Sequence, residues 1–202
     1  IKFTCKDYEK KHKLIYPLYE TKFFEIIKNS KKRFVGIFLY IKWYCFSSNA
    51  HFNAILFDTE KKTVERFEPY SEINDTEKYN TIKKFDIEFK KSIKKNLGNE
   101  YEYILPNSIC PKIGFQYKEE KNLLSVFTSR TIGNFQFESD PGGFCGAWSL
   151  YYLHLRIANP NIEPQKLLQN VYKYLENDKH SFRTFIRNYA EFILKVGIKQ
   201  II

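Results

Sequence analysis

The sequence of 202 residues contains no methionine, only 8 glycines and no long apolar run. A transmembrane helix needs about 18 or more consecutive apolar residues, so the sequence predicts no membrane span. There is also no internal repeat and no low-complexity linker. These absences predict a single domain over residues 1–202 with an ordinary globular core.

The four cysteines are too far apart in sequence to suggest a metal or redox motif. They stand at Cys5, Cys45, Cys110 and Cys145, and no pair has the C-x-x-C spacing. No secretory signal precedes them, so we expect a reducing, intracellular compartment. No cysteine and histidine spacing supports a zinc site, and the sequence predicts no metal and no cofactor.

Positive charge is concentrated in two segments of a chain whose formal net charge is +10. Residues 1–33 hold 10 Lys and Arg against 4 Asp and Glu, and residues 83–95 hold 6 Lys against 2 acids. Such segments are commonly solvated surfaces of the fold. They also predict a possible acidic partner, either nucleic acid or an anionic protein surface.

Hydrophobic patterning predicts an α+β fold. Three β-branched or aromatic runs at residues 34–46, 51–58 and 63–70 predict strands, and 101–105 predicts another. Helices are predicted from residue 75 or 76 to 97, over 144–157, and near 164–176 and 181–196. We interpret residues 1–33 as a basic helical lead-in, 34–160 as the core and 161–202 as C-terminal helices. Residues 106–140 are predicted to be irregular, with one possible hairpin over 123–137.

Cys145 stands where a glycine-rich turn meets the apolar helix over residues 144–157. A helix N-terminus has free N–H groups and a positive dipole end, and both stabilise a thiolate. Gly142 and Gly143 leave space for another chain to approach. A cysteine in an apolar helix is otherwise most often a small buried hydrophobic residue. The position at the helix start favours a nucleophile.

His51 begins a predicted strand, and the hairpin register suggests its partner. If the turn is centred on residues 60 and 61, residue 68 lies opposite residue 53. Glu68 and His51 are then diagonal neighbours about 7–8 Å apart at the backbone, which side chains can bridge. Asp58 lies about 23 Å along the same strand and is rejected as the acid. The remaining histidines, His12, His154 and His180, are predicted to be structural.

A base, an acid that orients it and a thiol at a helix terminus form a cysteine nucleophile triad. The order along the chain is His51, Glu68 and Cys145. This order is the reverse of that in papain, in which the cysteine comes first.

The order and spacing resemble a clan of cysteine peptidases that includes adenovirus protease, the SUMO proteases and thiol proteases of giant viruses. The segment Asp140-Pro-Gly-Gly-Phe-Cys-Gly-Ala-Trp is the most specific part of this resemblance. It implies an adenain-type fold, in which a mixed central sheet packs on a buried helix that begins at the nucleophile. It also implies a glutamine in the oxyanion hole, either Gln116 or, as the alternative, Gln136.

The resemblance implies a thiol peptidase that cleaves peptide or isopeptide bonds. Its protein substrate would be a viral structural precursor or a ubiquitin-like conjugate cut after Gly-Gly, in the host cytoplasm or in the virion. The alternative is a non-catalytic, basic nucleic-acid-binding or scaffold domain on a protease-like fold.

Overall fold

The structure is a computed structural model that describes residues 2–6, 11–15, 20–42, 50–71, 76–121, 144–177 and 181–201. The strands are β1 (Lys2–Lys6), β2 (Lys11–Ile15), β3 (Phe34–Lys42), β4 (Ala50–Asp58), β5 (Thr63–Phe67) and β6 (Glu102–Ile104). The helices are α1 (Glu20–Lys28), α2 (Thr76–Leu97), α3 (Pro106–Ile109), α4 (Phe115–Lys121), α5 (Cys145–Ala158), α6 (Pro164–Asn177) and α7 (Phe182–Ile201).

Four strands form a mixed sheet in the order β3-β4-β5-β6. The first two pairings are antiparallel, and β6 joins β5 in parallel. Ala54 lies opposite Phe67, and Asp58 lies opposite Thr63. The predicted centre of the turn between β4 and β5 is therefore confirmed, because a short polar turn fixes the register of a hairpin.

The sheet separates two apolar layers because successive residues of a strand face opposite sides. Ile55 and Phe57 of β4 belong to the cluster that contains the buried residues of α1 and α2. Ala54 and Leu56 belong to the cluster that contains Trp148 of α5 and the buried residues of α6 and α7. The helix α5 therefore packs against one face of the sheet and α2 against the other.

The lead-in over residues 1–33 was predicted to be helical, and that prediction is wrong for its first half. The strands β1 and β2 pair as an antiparallel hairpin, and only α1 is helical in the described part of this segment. The apolar period that predicted the helix lies mostly in α1, where Phe24 and Ile27 are buried.

The prediction of irregular structure from residue 106 onward is also wrong in its first part. The helices α3 and α4 occupy this stretch, and Pro106 stands at the first position of α3, where its fixed φ suits a helix start. The possible hairpin over 123–137 lies outside the described residues. Among the helices that the structure describes, none is long and apolar enough to cross a membrane.

Candidate functional site

The thiol of Cys145 stands at the N-terminus of α5, and Phe144 is the residue that precedes the helix. Aromatic packing holds this end of the helix in place: the Trp148 ring lies 5.0 Å from the Phe115 ring and is fully buried. The Trp148 indole N–H donates a hydrogen bond to the buried carboxylate of Glu119. The position of the cysteine therefore follows from how α5 packs.

The structure brings His51 and Glu68 into direct contact. The His51 Nε2 and Glu68 Oε1 atoms are 2.6 Å apart, and both side chains are buried. The backbone N–H of Tyr70 donates to the same carboxylate oxygen at 3.0 Å. Asp58, which the strand geometry excluded as the acid, lies at the far end of β4 and pairs with Arg33 at 2.9 Å.

The thiol of Cys145 interacts with the His51 ring, and each group shifts the pKa of the other. Burial lowers the pKa of His51, but the Glu68 carboxylate and the Cys145 hydrogen bond outweigh burial and raise it to about 10. Burial raises the pKa of Cys145, but the His51 hydrogen bond and charge, with backbone hydrogen bonds at Phe52 and Gly146, bring it below its ordinary value. Both shifts favour a thiolate–imidazolium pair.

A network of polar side chains contacts Glu68 at Oε2, the carboxylate oxygen that does not contact His51. The Asn53 amide donates to Glu68 Oε2 at 2.8 Å, and Arg66 donates to Asn53 Oδ1 at 2.6 Å. Arg66 also pairs with both carboxylate oxygens of Asp86, at 2.8 and 2.7 Å. Tyr103 donates to Asp86 at 2.6 Å. This network fixes the Glu68 carboxylate in the orientation that faces His51.

The charges of the network also act on Glu68 itself. Burial raises the pKa of Glu68, but the attraction of His51 and Arg66 and the hydrogen bond from Tyr70 bring it below its ordinary value. Glu68 therefore stays ionised and keeps the His51 ring cationic.

Of the two predicted glutamines, the structure describes only Gln116. Its side-chain amide donates to the Tyr70 hydroxyl at 3.2 Å, and the Tyr70 ring lies 5.4 Å from the His51 ring. Gln116 thus reaches the site through Tyr70, and its place in an oxyanion hole stays a prediction. Gln136 lies outside the described residues.

A partly exposed group of three aromatic rings lies beside the start of α5, where the Phe52 ring is next to Gly146. The Phe52 ring contacts the Tyr40 ring at 5.0 Å and the Phe38 ring at 6.2 Å. Phe38 is 46% exposed and Tyr40 is 40% exposed. The backbone carbonyl of Phe52 accepts a hydrogen bond from Ser149 of α5, which ties this group to the helix that begins at Cys145. The thiol therefore lies next to an apolar surface.

The predicted basic segment over residues 83–95 lies on α2. All of its lysines are exposed: Lys83, Lys84, Lys90, Lys91, Lys94 and Lys95. Of its two acids, Asp86 is engaged by Arg66, and Glu88 pairs with Lys91 at 2.9 Å. The exposed surface of this helix therefore carries a large excess of positive charge.

The sequence predictions missed Asn53, Arg66, Asp86 and Tyr103. A signal for Asn53 was available, because the hairpin register places it directly opposite residue 68. Arg66 and Asp86 are charged residues far apart in sequence, and only the packing of α2 on the sheet brings them together. As a whole, the site can hold a nucleophilic thiolate next to a cationic imidazole.

Comparison with known proteins identifies a curated relative. This chain is 32% identical over 188 residues to an ankyrin repeat protein of Acanthamoeba polyphaga mimivirus. The match covers 89% of this chain and 23% of the relative, so the chain spans about a quarter of the length of the protein it matches. No family model matches the chain, and no solved structure matches it.

These comparisons correct the predicted identity. A thiol peptidase of the adenovirus-protease and SUMO-protease clan was predicted, with peptide or isopeptide hydrolysis as its activity. The protein that this chain matches is an ankyrin repeat protein and not a peptidase, and no family model or solved structure matches this chain. The predicted peptidase activity and its substrates are therefore withdrawn, and the adenain-type fold stays a prediction without a matching solved structure.

The matched part is not itself a stack of ankyrin repeats. An ankyrin repeat is a unit of about 33 residues with a turn and two helices. This chain has no repeat of that kind and contains a four-stranded mixed sheet. The relative therefore gives no template for this fold.

Proposed function

We propose that this chain is a protein-binding domain of a larger protein. The observation that carries the proposal is the exposed, lysine-rich face of α2, in a chain that matches part of an ankyrin repeat protein. The described part of the chain forms a sheet-based unit with its own core. It would therefore supply a separate binding surface, in an intracellular protein.

Two surfaces of the structure support protein binding. The first is the exposed aromatic group of Phe38, Tyr40 and Phe52, since aromatic residues are enriched where proteins meet. The second is the lysine-rich face of α2, which favours a partner of negative charge. Nucleic acid is the other partner that this charge could attract.

Selection from a library of displayed random peptides tests the proposal. We expect the immobilised chain to enrich a family of related peptides that bind with micromolar affinity, as measured by fluorescence anisotropy. A folded basic protein of equal net charge is the control. Enrichment of only those peptides that bind the control equally well would contradict the proposal, because charge alone would then explain the binding.

A second function, a reactive thiol on this domain, is favoured by the contact between Cys145 and His51. Burial raises the pKa of the Cys145 thiol, but the cationic imidazole outweighs burial and lowers it, so that a larger fraction is thiolate than in an ordinary cysteine. A thiolate of this kind attacks electrophiles and oxidants faster than an ordinary cysteine does. Cys145 would then be a site of covalent modification on the binding domain.

Cys110 provides an internal control for this second function. Burial raises the pKa of Cys110 to about 12. At pH 6.5 we expect iodoacetamide to alkylate Cys145 at least about a hundredfold faster than Cys110, because the rate follows the thiolate fraction. Residue-level mass spectrometry after timed labelling measures both rates. Equal rates at the two cysteines would show that Cys145 is not activated.

A further inference from the structure

A cavity of about 430 Å³ lies between α2, the end of β5 and the start of α3. Its wall is aliphatic on several sides, formed by Ile82, Ile87, Leu105 and Pro106. Ile87 is 48% exposed, although it faces this concave surface. The volume falls within the range of about 300–1,000 Å³ that is typical of ligand sites. The cavity is therefore large enough to hold an apolar side chain and part of its backbone.

The charged groups around the cavity differ in whether they are available to pair with a ligand. Asp86 and Glu68 contribute carboxylates, but Asp86 pairs with Arg66 at 2.7 Å and Glu68 pairs with His51 at 2.6 Å. Lys83 and Lys90 are exposed and lie two turns apart on α2. Neither lysine pairs with an acid among the residues that the structure describes. The rim therefore presents positive charge and the interior presents apolar surface.

These features favour an acidic peptide over nucleic acid. Single-stranded nucleic acid is held by aromatic side chains on which bases stack, together with a basic groove along the backbone. The walls of this cavity are aliphatic, and no aromatic side chain is among its described lining residues. An apolar side chain flanked by Asp or Glu matches both the wall and the rim.

We infer that this cavity binds an acidic segment of a partner protein that inserts one apolar side chain between α2 and α3. The inference rests on the protein-binding function proposed above and names the chemistry of the partner. The acidic flanks of the segment pair with Lys83 and Lys90, and its apolar residue packs against Ile82 and Ile87.

Binding of a designed peptide to the chain tests this inference. The probe is a fluorescein-labelled peptide with a central leucine and glutamates on both sides, measured by fluorescence anisotropy. We expect saturable binding, and we expect about tenfold weaker binding when the central leucine is serine. Equal binding of the leucine and serine peptides would overturn the inference, because no apolar anchor would then be needed.

Two pairs of charge-reversal substitutions distinguish binding at the cavity from non-specific electrostatic attraction to α2. The pair Lys83→Glu and Lys90→Glu changes the cavity rim, and the matched pair Lys94→Glu and Lys95→Glu changes the same helix outside the cavity lining. We expect the first pair to weaken binding at least about tenfold and the second less than about threefold. Equal weakening would overturn the inference. Far-ultraviolet circular dichroism checks that each variant is folded.

The substitution Ile87→Ser tests the apolar wall at an exposed position that the fold tolerates. We expect the leucine peptide to lose affinity and the serine peptide to be unaffected. Displacement of the peptide by single-stranded RNA at lower concentration than by unlabelled peptide would overturn the inference in favour of nucleic acid. If the peptides selected from the displayed library bind the cavity variants unchanged, protein binding stands and this cavity is not its site.

Discussion

Replacing Glu65 with alanine is expected to destabilise the protein by about 3–5 kcal/mol, because it leaves a buried guanidinium without its counter-charge. Arg156 is 1% exposed, and its Nε and Nη2 atoms donate to the two Glu65 oxygens at 2.8 and 2.9 Å. An arginine cannot lose its proton to escape this cost. Urea unfolding followed by circular dichroism measures the change.

The position of this pair explains why its loss should affect the whole fold. Glu65 lies on β5 and also accepts a hydrogen bond from Tyr152 of α5. Arg156 lies near the end of α5 and donates to the backbone carbonyls of Asn159 and Ile162, which lead toward α6. The pair therefore joins the sheet to the helix that carries Cys145 and to the segment after it.

Glu88 provides the matched control for the Glu65 substitution. Glu88 pairs with Lys91 on the exposed face of α2, and Glu88→Ala is expected to cost less than about 1 kcal/mol. Glu65→Gln keeps the shape and hydrogen-bonding capacity of the side chain and should fall between the two. A loss below about 1 kcal/mol in Glu65→Ala would contradict the structural importance of the buried pair.

The hairpin of β4 and β5 could be predicted from sequence because its signals are local. A polar turn between two apolar runs fixes the register, and that register is sufficient to place Glu68 near His51. The start of α5 at Cys145 was predictable for the same reason, since glycines precede a long apolar segment. Local sequence patterns were therefore sufficient to predict the pairing of β4 with β5 and the residue at which α5 begins.

The N-terminal hairpin was not predicted, because its two strands are short and only β1 alternates polar with apolar residues. The strands β1 and β2 are five residues each and contain several lysines, a residue type depleted in strands. Their backbone pairing, from Lys2 opposite Ile15 to Lys6 opposite Lys11, supplies the structure that the side-chain pattern does not indicate.

The function could not be read from the thiol site either. A thiol beside an imidazole and a carboxylate is a chemical arrangement, and the same arrangement can serve different roles. The cysteine segment suggested a peptidase family, whereas the matched relative is an ankyrin repeat protein. What the residues support directly is the reactivity of Cys145, which can be measured without knowing any partner.

Replacing His51 with alanine is expected to slow the alkylation of Cys145 at pH 7 by about ten- to a hundredfold. Burial raises the pKa of the thiol and the imidazolium is the charge that lowers it, so the pKa should rise when the imidazolium is removed. In the unaltered protein the pKa of His51 is raised to about 10, so the cation persists as pH rises to that value. The rate of alkylation should therefore reach its plateau at lower pH in the unaltered protein than in His51→Ala. Iodoacetamide labelling across a pH range of about 5 to 10 gives both profiles.

The substitution Glu68→Gln provides the intermediate case. It keeps the shape of the side chain and removes the charge that holds His51 protonated, so the profile should move toward that of His51→Ala without reaching it. Cys110 is the control for unfolding, because loss of the fold would accelerate the alkylation of its half-buried thiol as well. If His51→Ala and the unaltered protein showed the same pH profile at Cys145, the imidazole would not set the thiol pKa. The contact between them would then be a packing contact alone.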